Sequence, residues 1–281
     1  MEEAQPSRTA LGVAIRRASH QLYDSPPLIL EDPVAVPILG EFYRSRLEEA
    51  AASIEEGFSL AMRAWVVVRN RYAEDKLARA VSQGVRQYVL LGAGLDTFAH
   101  RNPYPELKVF EVDYPATQTW KQNLLASSGL AEPTNLNYVS VDFERQELAQ
   151  RMQDGGFDLT APAVFAWLGV VLYLTQSAFR ATINLIDRLP AGSVLIMDYA
   201  LPNHALDANE LKSRELLAGR VRNIGEPFQL FFTPDEVASE LANFKVIEDL
   251  DAVQINARYF VKRADRLRLY GKSARILSAW K

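Results

Sequence analysis

Apolar positions recur at helical spacing from residue 58 to residue 83, and Gly84 follows where a C-terminal capping glycine belongs, so the pattern predicts one long helix there. Upstream, Pro26, Pro27, Pro33 and Pro37 break residues 25–40 into a turn-rich wrap. After Gly84 the periodicity changes. Short apolar runs at residues 86–91, 108–112, 137–141, 164–168 and 193–198 read as strands, with helical stretches at 115–128 and 176–189, the second opened by Thr175 as N-cap. Strands that alternate with helices argue for an α/β fold whose sheet is parallel and covered on both faces. Further on, Thr233-Pro234-Asp235-Glu236 has the make-up of a helix start, with a capping threonine, a proline in the first turn and a glutamate three residues on. Residues 244–250 and 257–261 read as a final strand pair. Residues 201–225 form a polar, helical insertion.

The 281 residues, 48% hydrophobic and 23% charged, suit a large buried core, organised as a helical lead-in over 1–84 followed by an α/β domain over 85–281. A formal charge of −4 gives no general attraction to nucleic acid or anionic lipid. The longest apolar run, 163–174, is too short for a membrane span. The start, MEEAQPSRTA, lacks the basic-then-apolar pattern of a secretory signal, and a cytoplasmic protein is expected. With no cysteine and three histidines, thiolate chemistry is excluded and no metal centre is expected.

Chemistry concentrates after the first strand. Gly92-Ala93-Gly94-Leu95-Asp96-Thr97 follows directly on Tyr88-Val89-Leu90-Leu91; Gly92 and Gly94 permit a tight turn and a close ligand approach, as at nucleotide sites of doubly wound sheets, although a glycine pair is also an ordinary strand-end turn. Asp113 lies 21 residues after Gly92, at the end of the next strand, where an acid can accept hydrogen bonds from both ribose hydroxyls. Its other reading is an N-cap for the helix at Pro115. Asp142, at the end of the third strand, can accept from an adenine amino group while the ring of Phe143 covers the base, or can simply form a turn. A dinucleotide fingerprint wants a third glycine where Thr97 stands, which demotes NAD.

The runs Val89-Leu90-Leu91-Gly92-Ala93-Gly94-Leu95-Asp96-Thr97, Phe110-Glu111-Val112-Asp113-Tyr114-Pro115 and Val141-Asp142-Phe143 resemble, in order and spacing, the S-adenosylmethionine-dependent leucine carboxyl methyltransferase family, which includes bacterial O-methyltransferases of polyketide biosynthesis. The resemblance extends to Thr9-Ala10-Leu11, Arg17-Ala18-Ser19-His20-Gln21-Leu22, Asp32-Pro33, Arg69-Asn70-Arg71 and Trp167-Leu168-Gly169-Val170-Val171-Leu172-Tyr173-Leu174, and more weakly to Arg258-Tyr259-Phe260. It implies a class I, Rossmann-like methyltransferase: a mainly parallel, seven-stranded sheet under an N-terminal helical cap. It also implies that S-adenosylmethionine binds and leaves as S-adenosylhomocysteine, with Arg69 on the methionine carboxylate, Gly92 and Gly94 under the methionyl part, Asp113 on the ribose, and Asp142 with Phe143 on the adenine. From the residues alone, Arg69 reads equally as part of a solvated helix face.

Two departures stand out. Many members of that family carry a glutamate at the position of Leu168 and an arginine at that of Phe98, and the losses favour the small-molecule branch over the branch that acts on a protein C-terminus. The expected partner is a small-molecule methyl acceptor, a carboxylate or phenol. His100 reads as a turn residue, with a base near the methyl group as its other reading, and His20 matches the family's N-terminal pattern or reads equally as a core hydrogen-bonding group. A nicotinamide-dependent oxidoreductase and an idle cofactor-binding protein are the competing readings.

Overall fold

The computed structural model describes residues 7–143, 146–222 and 225–281. Its centre is a seven-stranded sheet built from β1 (Gln87–Leu91), β2 (Lys108–Asp113), β3 (Leu136–Ser140), β4 (Val164–Trp167), β5 (Val194–Ala200), β6 (Val246–Leu250) and β7 (Ala274–Trp280), in the spatial order β3-β2-β1-β4-β5-β7-β6. The first five strands pair in parallel, and β7 lies antiparallel between β5 and β6. Strand order reverses at β1, so the crevice at the carboxyl ends of β1 and β4 is where such a sheet admits a ligand.

The helices are α1 (Arg8–Tyr23), α2 (Arg44–Ala52), α3 (Gly57–Ser82), α4 (Pro115–Ser127), α5 (Leu148–Asp154), α6 (Gln176–Asp187), α7 (Ala208–Arg222), α8 (Pro234–Glu240) and α9 (Ala252–Tyr259). Several start as the sequence prescribes. The Thr175 side chain accepts from the Ala178 amide, and Thr233 and Glu236 form a reciprocal capping box. Gly84, just past α3, has a φ of 97°.

Period-two alternation in β1 divides its side chains between two cores. Tyr88 and Leu90 face a layer that contains Leu60, Ala64, Val67 and Leu77 of α3, while Val89 and Leu91 face Phe110, Phe165, Trp167 and Phe179. Every residue of β1 and β5 is buried, as expected of strands covered on both faces. α3 is also tied to the far side of the sheet, where the Tyr72 hydroxyl donates to Glu248 Oε2 at 2.8 Å and lies 2.9 Å from the Ser278 hydroxyl. A third apolar cluster joins Ala14 and Ala18 of α1 to Ile38, Leu39, Leu95 and Leu125.

One expected strand is a helix. Residues 257–261 do not pair with 244–250; they belong largely to α9, because Asp251 and Gln254 close a capping box and start a helix immediately after β6. The partner of β6 is β7, whose Trp280 stands beside both Val246 and Val194. The 201–225 insertion contains α7, as its polar helical pattern indicates.

Candidate functional site

β1 ends in a turn whose first position leaves no room for a side chain. Gly92 has a φ of 67°, its amide donates to Val112 O at 2.7 Å, and a Cβ there would lie 2.3 Å from Val170 Cγ2. The next amide that points outward, on Gly94, donates to Asp113 Oδ2 at 2.5 Å, and Tyr114 N donates to Asp113 Oδ1 at 2.6 Å. Asp113 is therefore not the N-cap of α4, a position that Tyr114 holds without a side-chain capping bond; the Asp113 carboxylate spans the glycine turn and the end of β2. Burial pushes that carboxyl up to about 6, with the two amide hydrogen bonds partly offsetting the shift.

Opposite this turn, α3 presents Arg69, which is 7% exposed and not part of a solvated face. Its Nη1 donates to Asp198 Oδ2 at 3.2 Å, while Asp198 Oδ1 accepts from Gly169 N at 2.5 Å. Gly169, with a φ of 72°, is a second position that admits no side chain, since a Cβ would sit 2.5 Å from Arg69 Nη1. The Nε of Arg69 is buried and has no partner among the described residues.

Beneath the glycine turn lies a buried polar layer. Asp96 accepts from Arg17 Nη1 at 3.1 Å, Asn70 Nδ2 at 2.8 Å and Phe98 N at 2.7 Å. Burial works to raise the Asp96 carboxyl, but Arg17, Arg101, Lys121 and the Phe98 amide together hold it below the usual range. Lys121 Nζ donates to Asp96 O and to Glu111 Oε2, both at 2.5 Å, so the backbone of the turn rests on a buried ammonium.

Arg69, Gly92, Gly94, Asp113, Asp142 and Phe143 all line one cleft of about 1090 Å³. The lining also includes the apolar side chains of Phe58, Met62 and Trp65 from α3, Leu217 from α7, and Phe231 and Leu269, with the polar Glu210, Ser213 and Arg214 of α7 beside them. Leu168, at the mouth of β4, also lines the cleft, whereas Phe98 is packed edge-on against Tyr88 with ring centroids 4.9 Å apart. Of the charged positions missing from the sequence pattern, only Leu168 therefore changes the wall itself.

None of the three histidines lines the cleft. His20 is fully buried; its Nδ1 lies 2.6 Å from Asp24 Oδ2 while Nε2 accepts from the amides of Ile29 and Leu30, which is a core role. His100 sits on a single 3₁₀ turn, and burial, reinforced by Lys121, lowers its pKa to about 4. His204 is exposed on another such turn. Among the described residues no cluster of acids and histidines could hold a metal, and no helix is long and apolar enough to cross a membrane.

Asp198, Gly169 and Glu226 are cleft residues that sequence reasoning passed over. Asp198 carried the same signal as Asp113 and Asp142, an acid near the carboxyl end of an apolar strand. Glu226 follows the insertion and carried no local signal.

Comparison with known proteins bears on the family and the fold. A family model described as leucine carboxyl methyltransferase matches residues 10–187. A protein of Bacillus subtilis (strain 168) named as a putative S-adenosyl-L-methionine-dependent methyltransferase, YktD, is 32% identical over 292 aligned positions that cover 95% of each chain. A similarly named protein of Saccharopolyspora erythraea is 33% identical over 205 positions, covering 70% of this chain and 69% of that one. Among solved structures, a putative methyltransferase from Thermobifida fusca superposes with a TM-score of 0.59 at 18% identity, over 100% of this chain and 96% of that one. A protein from Streptomyces avermitilis gives 0.56 at 21% identity, over 96% and 97%. At these identities the structures share the fold.

Proposed function

The chain belongs to the leucine carboxyl methyltransferase family, and on that premise we propose an S-adenosylmethionine-dependent methyltransferase that acts on an oxygen of a small natural product of polyketide type, a carboxylate in preference to a phenol. The residues present fit the cofactor. A buried guanidinium with a spare Nε suits the methionine carboxylate. Gly92 and Gly94 line the cleft as a turn without side chains, and Asp113 is an acceptor at the ribose position. Asp142 and Phe143 line the cleft just beyond β3, where an adenine would lie. Bound there, S-adenosylmethionine supplies a methyl group on a sulfonium, an electrophile that needs no further activation.

The protein's own part is to hold and to exclude. Arg69, fixed by Asp198, orients the amino-acid end; the helical segment 7–84 contributes Phe58, Met62 and Trp65 to a dry wall for the acceptor. A cleft of about 1090 Å³ exceeds the ~300–1000 Å³ usual for a single ligand, leaving room for an acceptor beside the cofactor. Proximity and orientation then supply most of the acceleration.

The observation that carries the carboxylate is the position of the histidines. None lines the cleft, and burial pushes the Tyr173 phenol, which does line it, up to about 12. A carboxylate acceptor is already ionised at neutral pH and needs no base, whereas a phenol with a pKa near ~10 is helped by one. Incubating the enzyme and methyl-labelled S-adenosylmethionine with cell extracts, followed by mass spectrometry, tests the reading. The expected product is a labelled small molecule that loses its methyl as methanol in mild alkali, as an ester does. A label that survives alkali as an aryl ether overturns the carboxylate, and a label found only on protein or nucleic acid overturns the small-molecule acceptor.

A further inference from the structure

Glu226 has no use in the arrangement described so far. It stands on the loop after α7, is 9% exposed, lines the cleft, and its Oε2 has no hydrogen-bond partner among the described residues. A dry, unpaired carboxylate oxygen is costly, and native structures keep one where a ligand completes it. The backbone fixes it there. Glu226 N donates to Val221 O at 2.9 Å, and three residues on, Gln229 N reaches Leu172 O and Gln229 Nε2 reaches Tyr173 O, both at 2.7 Å.

Its neighbours say what kind of ligand would complete it. The Tyr173 phenol has Thr9 as a hydrogen-bond partner and lies in the fields of Glu226, Arg69 and Asp198. Glu226 also acts on Asp113. Each oxygen of Asp198 already accepts a hydrogen bond, from Gly169 N or Arg69 Nη1, and each oxygen of Asp113 accepts one from a backbone amide. Glu226 is the acid of this group with an oxygen still unmatched. Of the charges that act on the Tyr173 phenol, two are carboxylates, Glu226 and Asp198, and one is the guanidinium of Arg69, so this end of the cleft calls for a further positive charge. An α-amino acid carries its ammonium on the carbon next to its carboxylate, and a guanidinium and a free carboxylate acting on one tyrosine hydroxyl match both charges.

We propose that Glu226 receives the α-ammonium group at the amino-acid end of the cofactor, with Arg69 on its carboxylate. The proposal rests on the assignment of this cleft to S-adenosylmethionine. It makes the loop after α7 part of the cofactor site and not only of the acceptor wall.

Calorimetric titration separates the two assignments. The ligands are S-adenosylhomocysteine and its des-amino counterpart, which keeps the carboxylate and has hydrogen in place of the ammonium. Glu226→Gln is expected to weaken S-adenosylhomocysteine on the order of 10- to 100-fold and to leave the des-amino ligand unchanged. Equal weakening of both ligands, or of neither, overturns the role of Glu226 while the cofactor site stands. Failure of the unmodified protein to bind S-adenosylhomocysteine overturns the cofactor assignment and this proposal with it. Glu226→Asp, which keeps the charge but withdraws it by one methylene, provides the same comparison if Glu226→Gln does not fold: selective loss of S-adenosylhomocysteine is expected, and equal loss contradicts it.

Discussion

Arg69 and Asp198 meet at the floor of the cleft, with Nη1 3.2 Å from Oδ2 and each residue 7% exposed. The same aspartate holds the Gly169 amide, so one carboxylate at the end of β5 fixes both a guanidinium from α3 and the turn that follows β4. Two segments far apart in sequence thus share a single anchor, and the spare Nε of Arg69 is the product of that geometry.

Gly169→Ala should therefore damage binding more than folding. The new methyl group would lie 2.5 Å from Arg69 Nη1 on a backbone with φ of 72°, which costs ~1–2 kcal/mol in left-handed strain and displaces the guanidinium. Thermal melting should fall by a few degrees, while S-adenosylmethionine affinity measured by calorimetry falls more than about tenfold. Undiminished affinity would detach Arg69 from the cofactor.

Lys121 and Glu111 are both 1% exposed and pair at 2.5 Å. Lys121→Met strands a buried carboxylate and removes a donor from Asp96 O, and a loss of ~3–5 kcal/mol is expected in denaturant unfolding. The double variant Lys121→Met with Glu111→Leu should regain most of it, because the charge left unpaired is gone. A double variant as unstable as the single one would show that the pair does more than neutralise itself.

Substituting the histidines separates structure from chemistry. His204→Ala and His100→Ala should keep full turnover, with a rate that is flat above pH ~6. His20→Ala should lose stability through the broken links to Asp24, Ile29 and Leu30, with turnover per folded molecule retained. A ~100-fold loss in a folded, cofactor-binding variant would instead reveal a general base.

Local signals carried much of the fold into the sequence. Thr175, Thr233 with Glu236, and Gly84 mark helix ends through bonds made within a few residues, and the acids Asp113 and Asp142, which line the cleft, were legible from their place at the end of apolar runs. What escaped depends on distant partners. β7 pairs with strands roughly 30 and 80 residues upstream, a choice that no local pattern declares. The 257–261 segment was misread because its apolar run outweighed the Asp251–Gln254 cap that starts α9. Arg69 as a buried group needs Asp198, which arrives 129 residues later. Glu226 reaches the cleft only because a helical insertion folds back over it.

The most direct test is a calorimetric titration of S-adenosylmethionine into the unmodified protein and into Asp113→Ala. Binding to the unmodified protein should weaken as pH falls through about 6, where the raised carboxyl takes up its proton. Asp113→Ala should stay folded by circular dichroism, lose roughly 1.5–3 kcal/mol of binding for each ribose hydrogen bond removed, and show no such pH step. Tight binding of NAD(P)H in place of S-adenosylmethionine, or an unchanged affinity in the folded variant, would contradict the assignment of this cleft.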